Sequence, residues 1–403
     1  MSMFKSLVDS FIREASEVTM APLVERVSDY SLTDGDIAYL AERSAVSGQI
    51  ISLPTTWKTL DIASTGGPTS LSTLLCPLYL RAYGYRVPKL AVPGRPAGGI
   101  DVLAQLEGYK TRISRDEILR CLDVSGYAHF LADETYAPRD AELFRYRQES
   151  GTQRIPAFAI ASILSKKVAV GLSKIGLDVR VASHGNFGDT WDQAKKNALR
   201  FCKVAELLGI SAICFLTDAV VPYQPYVGRG EALLALEELF NESACEWLAG
   251  HNSICFKMAA AACGIQAASQ PSATELARHF EDNLNVQGSL VEAFHKKVQE
   301  VRLGHSIYVI SDDEGFLSIN LRTLRSAIVA AQDKYATSPS EFSDACGVII
   351  KKRPGEYIHK GDLLATIRLV TNMPAEICGE INNAFGVEPT RDTRPHFEEV
   401  TNA

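Results

Sequence analysis

What most constrains this chain is a recurring unit: a short apolar run, a glycine-bearing turn, then apolar residues at helical spacing. Thr59-Leu60-Asp61 leads into Ser64-Thr65-Gly66-Gly67, and the run VPKLAV at 87–92 leads into Gly94 and Gly98-Gly99. Further along, LDVRVAS precedes the helical pattern WDQAKKNALRFCKVAELLG, which feeds the strand-like SAICFLTD. Such alternation implies strands laid side by side with helices on their faces, an α/β sheet.

Two stretches depart from the alternation. MFKSLVDSFI and SLTDGDIAYLAERSAVSG near the start read as helices, the second opening on a Ser/Thr/Asp capping region, and AFAIASILSKKVAVGLSKI at 157–175 is a second helical insertion. Near the end, GVIIKKRPGEYIHKGDLLATIRL alternates apolar and polar residues around the turns RPGE and HKGD, the pattern of a small β-rich subdomain. The expectation is an α/β fold: a mixed-sheet domain, a smaller all-helical domain and a C-terminal β-rich subdomain. The helical domain is drawn from 1–50 and 138–172, the α/β domain from 51–137 and 173–335, and the C-terminal α+β subdomain from 336–403. A chain of 403 residues is long enough for two or three such units and for a cleft between them.

Composition narrows the function. With 46% hydrophobic and 22% charged residues the chain has ample apolar surface to bury. Its formal charge of -7 arises from intermingled signs with no basic stripe, which argues against nucleic acid as a partner. The N-terminal MSMFKSLVDSFIREASE lacks the unbroken apolar run of a signal peptide or membrane span, so no membrane and a cytoplasmic location are expected. Nine cysteines, odd in number and never spaced CxxC, read as reduced thiols. Eight histidines include no HxxxH or HExxH pair, so neither a metal nor another cofactor is expected.

The chemistry-bearing segment is Asp61-Ile62-Ala63-Ser64-Thr65-Gly66-Gly67-Pro68-Thr69-Ser70-Leu71-Ser72-Thr73, between a candidate strand and a candidate helix. Glycines let the backbone approach a ligand, and hydroxyls with helix N-terminal amides suit an oxyanion. Taken alone the segment is equally a tight turn and N-cap satisfying its own backbone.

Its surroundings supply context. DxxSTGG is followed by Pro93-Gly94-Arg95-Pro96-Ala97-Gly98-Gly99, by Pro138-Arg139-Asp140 with Arg147, and by Ala161-Ser162-Ile163-Leu164-Ser165-Lys166-Lys167. Leu216-Thr217-Asp218, Pro222, Val227-Gly228 and the segment from Gly347 to Ile367 continue the series. Together these resemble the thymidine/pyrimidine nucleoside phosphorylase family over nearly the whole chain, with ASILSKK the most specific part. The resemblance implies a pyrimidine-binding site of Arg147, Ser162 and Lys166, with Arg147 and Lys166 also catalytic. Ser162 and Lys166, four apart on a predicted helix, share one face. It further implies phosphate held by Ser64, Thr65, Gly66, Gly67 and Thr73, a homodimer formed through the helical domain, and closure of the cleft by hinge motion.

The phosphate side departs from the family. Ile62 and Ala63 stand where the family has a lysine and a histidine, Pro93 replaces a serine, Ser70 replaces an aspartate, and Val179 to Phe187 rewrites a ligand loop. Arg95 is the candidate replacement cation, with a plain surface arginine as the alternative, and His184 is read as a solvated or capping residue. The leading expectation is a pentosyltransferase acting on a pyrimidine nucleoside with phosphate or another nucleophile. Open beside it stand a phosphate-independent nucleosidase, a specialised pentosyl or phosphoribosyl transferase, and a non-catalytic nucleoside binder.

Overall fold

The computed structural model describes residues 3–28, 32–183, 185–266, 269–335, 341–369, 375–389 and 397–401. Three helices come first: α1 (Met3–Arg13), α2 (Glu17–Ser28) and α3 (Asp34–Ala45), the last opened by a capping box between Thr33 and Asp36. Alternation follows: β1 (Asp61–Ser64), α4 (Ser72–Ala82), β2 (Val87–Ala91), α5 (Ile100–Leu103), α6 (Arg115–Val124) and β3 (Tyr127–Leu131). Helices α7 (Pro138–Glu149) and α8 (Pro156–Ala169) interrupt it before β4 (Lys174–Val181), α9 (Trp191–Leu207) and β5 (Ser211–Asp218). After β6 (Tyr226–Val227) come α10 (Arg229–Phe240), α11 (Glu246–Cys263), α12 (Ala273–Val286) and α13 (Val291–Arg302). The remainder is β7 (Ser306–Ile310), β8 (Gly315–Ile319), α14 (Leu321–Lys334), β9 (Cys346–Ile350), β10 (Tyr357–Ile358), β11 (Leu363–Leu369), α15 (Ala375–Asn382), β12 (Phe385–Glu388) and β13 (Phe397–Thr401).

The chain is α/β, as its alternation implies. Strands β1, β4 and β5 run parallel, with Ile62 opposite Gly176 and Leu177 opposite Cys214, and β13 closes that edge antiparallel to β5. A second parallel pair, β2 and β3, flanks β1 and touches it through the bridge Thr59 to Arg86. The lateral order is therefore β3, β2, β1, β4, β5, with β1 and β2 joined at their N-terminal ends. Residues 175–181 of β4 are buried throughout, as expected of a central parallel strand covered on both faces.

Apolar residues of α1, α2, α3 and α8 share one buried cluster with β4, β5 and α9, so the helical segments pack directly on the sheet. The other face of the sheet is covered by α4 and by α10 to α13. At the C-terminal side, β6, β9, β11 and β7 form an antiparallel sheet beside a three-stranded sheet of β10, β8 and β12, with α14 and α15 packed on them.

This arrangement corrects the boundary at 335/336: β7, β8 and α14 belong with the C-terminal unit, and β13 returns to the main sheet. Strand pairing is set by long-range hydrogen bonding, so contiguous numbering does not mark its limits. No disulfide joins the described cysteines, and most of them are buried. Among the described residues, no helix is long and apolar enough to cross a membrane.

Candidate active site

The chain leaves β1 toward β2 and leaves β4 toward β5, so the crevice beyond their carboxyl ends is the topological switch point, where α/β sheets bind ligands. The Ser64–Thr73 segment lies there. Gly66 (φ 89°) and Gly67 (φ 136°) take conformations open mainly to glycine. Thr69 holds φ 73°, a sparsely populated region for a β-branched residue. It is held there by Tyr223 N–H donating to its Oγ1 (3.1 Å) and Gln224 Nε2 donating to its carbonyl (2.7 Å). Backbone strain sustained by surrounding bonds is characteristic of ligand sites.

The hydroxyls predicted for phosphate all lie in or beside this loop, several of them engaged with protein groups. Thr65 Oγ1 accepts from the Arg180 amide (3.0 Å), and Ser64 Oγ accepts from Gly66 N–H (3.3 Å). Thr73 sits in the first turn of α4. At the mouth of that helix Leu71 N–H donates to His251 Nε2 (2.9 Å), where a capping side chain ordinarily stands. His251 is stacked on Tyr223, and burial pushes its imidazole down to about 4. Beneath the loop, Asp178 accepts from Ser72 Oγ (2.7 Å), Thr217 Oγ1 (3.0 Å) and Arg180 Nε (3.1 Å). Arg180 also donates from Nη1 to the Gly67 carbonyl (3.0 Å) and from Nη2 to Ser72 Oγ (3.1 Å).

The second glycine turn is closed from within. Asp101 accepts from the amides of Gly94 (2.9 Å) and Gly98 (3.0 Å) and pairs with Arg229 (2.8 Å). Arg95, the candidate replacement cation, is directed elsewhere: its guanidinium meets Asp333 of α14 at 2.5 Å, with both side chains about half exposed. Here α14 presents a carboxylate to the candidate replacement cation. Ile62 is fully buried in the apolar cluster with Leu60, Leu74 and Phe215, so the position where the family has a lysine faces the core. His184 lies outside the described residues, while Asn186 of the same loop donates to the Thr65 carbonyl (2.7 Å).

Of the residues predicted for the base, Ser162 and Lys166 are in contact on α8, and Arg147 of α7 is related to them through Asp140, which pairs with Lys166 and acts on Arg147. Lys166 Nζ donates to Ser162 Oγ (2.9 Å) one helical turn back and forms an ion pair with Asp140 at the start of α7. Arg147 lies over the Phe158 ring (4.8 Å to the centroid) and donates to the Gln153 carbonyl (2.7 Å). Burial lowers its guanidinium to about 10, with Asp140 opposing the shift.

Lys167 turns the other way. Its Nζ meets Asp61 Oδ2 at 2.6 Å, while Lys89 of β2 reaches Asp61 Oδ1 and the Ile62 carbonyl, each at 2.7 Å. Burial would raise the Asp61 pKa, and the two ammonium groups overcome that and hold it far below the usual carboxylate range. His129, beside them on β3, is bonded through Nδ1 to the Tyr127 hydroxyl (2.8 Å), and burial keeps it neutral.

Asp140, Asp178, Arg180, Lys89 and His251 were given no role from sequence. For three of them the signal was present: a charged residue inside an otherwise apolar strand, as in VPKLAV and IGLDVRV, demands a buried partner.

The chain matches proteins of known name. A pyrimidine-nucleoside phosphorylase of Staphylococcus epidermidis is 23% identical over 351 residues, covering 82% of this chain and 78% of that protein. An AMP phosphorylase of Thermofilum pendens is 26% identical over 376 residues, covering 90% of this chain and 69% of that protein. The chain is thus similar, over most of its length, to curated pyrimidine-nucleoside phosphorylases at 23–24% identity. Its fold also superposes on an anthranilate phosphoribosyltransferase from Thermus thermophilus, with a TM-score of 0.52 at 19% identity, covering 74% of this chain and 93% of that one. No family model matches the chain.

Proposed function

We propose that this chain is a pentosyltransferase that cleaves the N-glycosidic bond of pyrimidine nucleosides, with phosphate as nucleophile, releasing free pyrimidine and a sugar 1-phosphate. The observation that carries this reading is the set of Arg147, Ser162 and Lys166, in which both cations are buried and Lys166 donates to the Ser162 hydroxyl. As the bond from C1′ to the base nitrogen breaks, its electron pair passes to the pyrimidine and the sugar becomes oxocarbenium-like. Cations aimed at the base therefore bind the transition state more tightly than the ground state. An oxyanion at the Ser64–Thr73 loop attacks C1′ from the opposite face, with inversion. In this reading residues 1–50 and 138–172 form the lobe that grips the base and hinges on the α/β lobe, and two chains pair through it in the cytoplasm. Light scattering giving the mass of two chains is the expected result, and a single-chain mass rejects the pairing.

A second reading has water or another acceptor as nucleophile. It is favoured by Arg180 and Asp101, which engage polar groups of the two glycine turns, and by Arg95, which pairs with Asp333.

Base release from thymidine, uridine and deoxyuridine, followed with and without phosphate, tests both. Phosphate-dependent release supports the first reading and phosphate-independent release the second; binding without release leaves a non-catalytic binder. Lys166→Ala is expected to abolish pyrimidine binding measured by calorimetry, and an unchanged affinity rejects the base site.

A further inference from the structure

A sheet edge offers unpaired N–H and C=O groups to any other strand, and folds ordinarily guard it with charge, glycine or proline, shortness or cover. In the main sheet β13 carries Glu398 and Glu399. Strand β3 is buried along its whole length. Strands β6 and β10 are two residues long, and β12 carries Gly386 and Glu388. Strand β7 has none of these guards. Its residues are Ser306-Ile307-Tyr308-Val309-Ile310, without charge, proline or glycine, and among the described residues no strand pairs with its outer side. On its inner side lies β11, with Tyr308 opposite Thr366 and Ile307 opposite Ile367. Leu369 N–H donates to the His305 carbonyl (2.9 Å), so by the alternation of an antiparallel ladder residues 305, 307 and 309 bond β11. The N–H and C=O groups of Ser306, Tyr308 and Ile310 therefore point outward. The side chains alternate as well: Val309 enters the core, while Tyr308 is 67% and Ile310 45% exposed.

We propose that this edge is an interface at which β7 pairs antiparallel with β7 of a second copy of the chain, about a two-fold axis at Val309. The outward groups restrict the register, because residues 306, 308 and 310 must face one another, so the axis passes through a residue and not between two. With the axis at Val309, Tyr308 lies opposite Ile310 of the second copy, an aromatic and β-branched pair on the exposed face. The charges flanking the strand select the occupant. His305 precedes β7 and Asp312, Asp313 and Glu314 follow it, all of them exposed, and Glu314 already faces His359 (3.9 Å). Two copies of this sequence running antiparallel bring His305 of each against Asp312 and Asp313 of the other, whereas a parallel arrangement sets carboxylate against carboxylate. A two-fold pairing also closes on itself and uses up both edges, so it does not propagate into a fibre. The surface belongs to the C-terminal unit and is distinct from the helical segments 1–50 and 138–172.

Light scattering of the full chain and its variants over a range of concentrations tests this. Tyr308→Lys alters an exposed side chain and spares the core; it is expected to halve the assembled mass, from two chains to one, or from four to two where the helical segments also pair. His305→Asp and Asp313→Lys are each expected to weaken the association by about tenfold or more, because like charges then meet across the axis. The double variant is expected to return to within about threefold of the parent, a recovery that loss of structure does not produce. Hydrogen exchange on the assembled parent needs no variant: the amides of Tyr308 and Ile310 are expected to be protected like those of Ile307 and Val309. A mass unaltered by Tyr308→Lys overturns the proposal, whatever the helical segments do. So does a single-chain mass for the parent at every concentration, or free exchange of the Tyr308 and Ile310 amides in the assembled parent.

Discussion

Lys166 and Lys167 are neighbours on α8, and the roughly 100° step between consecutive helical residues sends them to different partners. Lys166 faces Ser162 and Asp140, at the corner assigned to the base, while Lys167 reaches back to Asp61 under β1. Their replacement therefore has different consequences. Asp61→Asn leaves Lys89 and Lys167 facing each other without a carboxylate and is expected to cost about 3–5 kcal/mol. Lys167→Met keeps Asp61 paired with Lys89 and is expected to cost clearly less, read as a smaller drop in the urea midpoint. Equal losses would show that the pair with Lys89 does not stand on its own. A steric counterpart is Gly99: a Cβ there would lie 2.3 Å from His129 Cε1 and 3.0 Å from its Nε2. Gly99→Ala is expected to destabilise by roughly 1–3 kcal/mol through overpacking, and a thermal melt unchanged from the parent would contradict the approach of that ring.

At the scale of an element, α4 begins without a capping side chain of its own and takes an acceptor from α11, His251 Nε2. The bond exists only while that nitrogen is unprotonated. Burial, the largest cause, depresses the folded-state imidazole from 6.5 to about 4, with Asp178 opposing and Arg180 assisting. Because the folded pKa is the lower one, the unfolded chain binds the extra proton first. The contribution is complete above about 6.5 and is lost as pH falls toward 4. A shift of this size corresponds to at most roughly 3 kcal/mol. The denaturation midpoint is expected to fall across that window, and more shallowly in His251→Gln; an equal slope in the variant would mean that other groups carry the acid sensitivity. The same protonation removes the acceptor at the loop, so ligand binding and stability should decline together.

For the whole molecule, the decisive link is a buried network joining the C-terminal unit to α10. Arg368 of β11 contacts Glu231 (2.6 Å) and Asp344 (2.8 Å), while Lys297 of α13 reaches Asp344 (3.0 Å). Gly347 permits it, since a Cβ there would fall 1.6 Å from the Glu231 carboxylate. Arg368→Met strands the buried Glu231 carboxylate, leaving Asp344 to Lys297, and is expected to cost about 3–5 kcal/mol in chemical denaturation. A loss below ~1 kcal/mol would mean that the two units are joined by their apolar contacts alone. The strand content of the C-terminal unit was legible locally, in the alternation around RPGE and HKGD, but its extent was not. Strands β7 and β8 join it by pairing with β11 and with β10 and β12, and β6 pairs with β9.

Much of the candidate site was legible because its signals are local. ASILSKK reads as a helix whose fourth-neighbour positions share a face, which brings Ser162 to Lys166. The Gly66-Gly67 turn declares a backbone that only glycine adopts easily. Charged residues in apolar strands, Lys89, Asp178 and Arg180, declare that each needs a buried partner. Which partner answers was decided by the tertiary structure: Lys89 finds Asp61 and the carbonyl of Ile62, His251 caps a loop 180 positions away, and Arg95 turns to Asp333. Helical periodicity, capping and turn chemistry act within a few residues and are written in the chain. Charge balance and strand pairing depend on which segments the sheet brings side by side, and those distances exist only once the chain has folded.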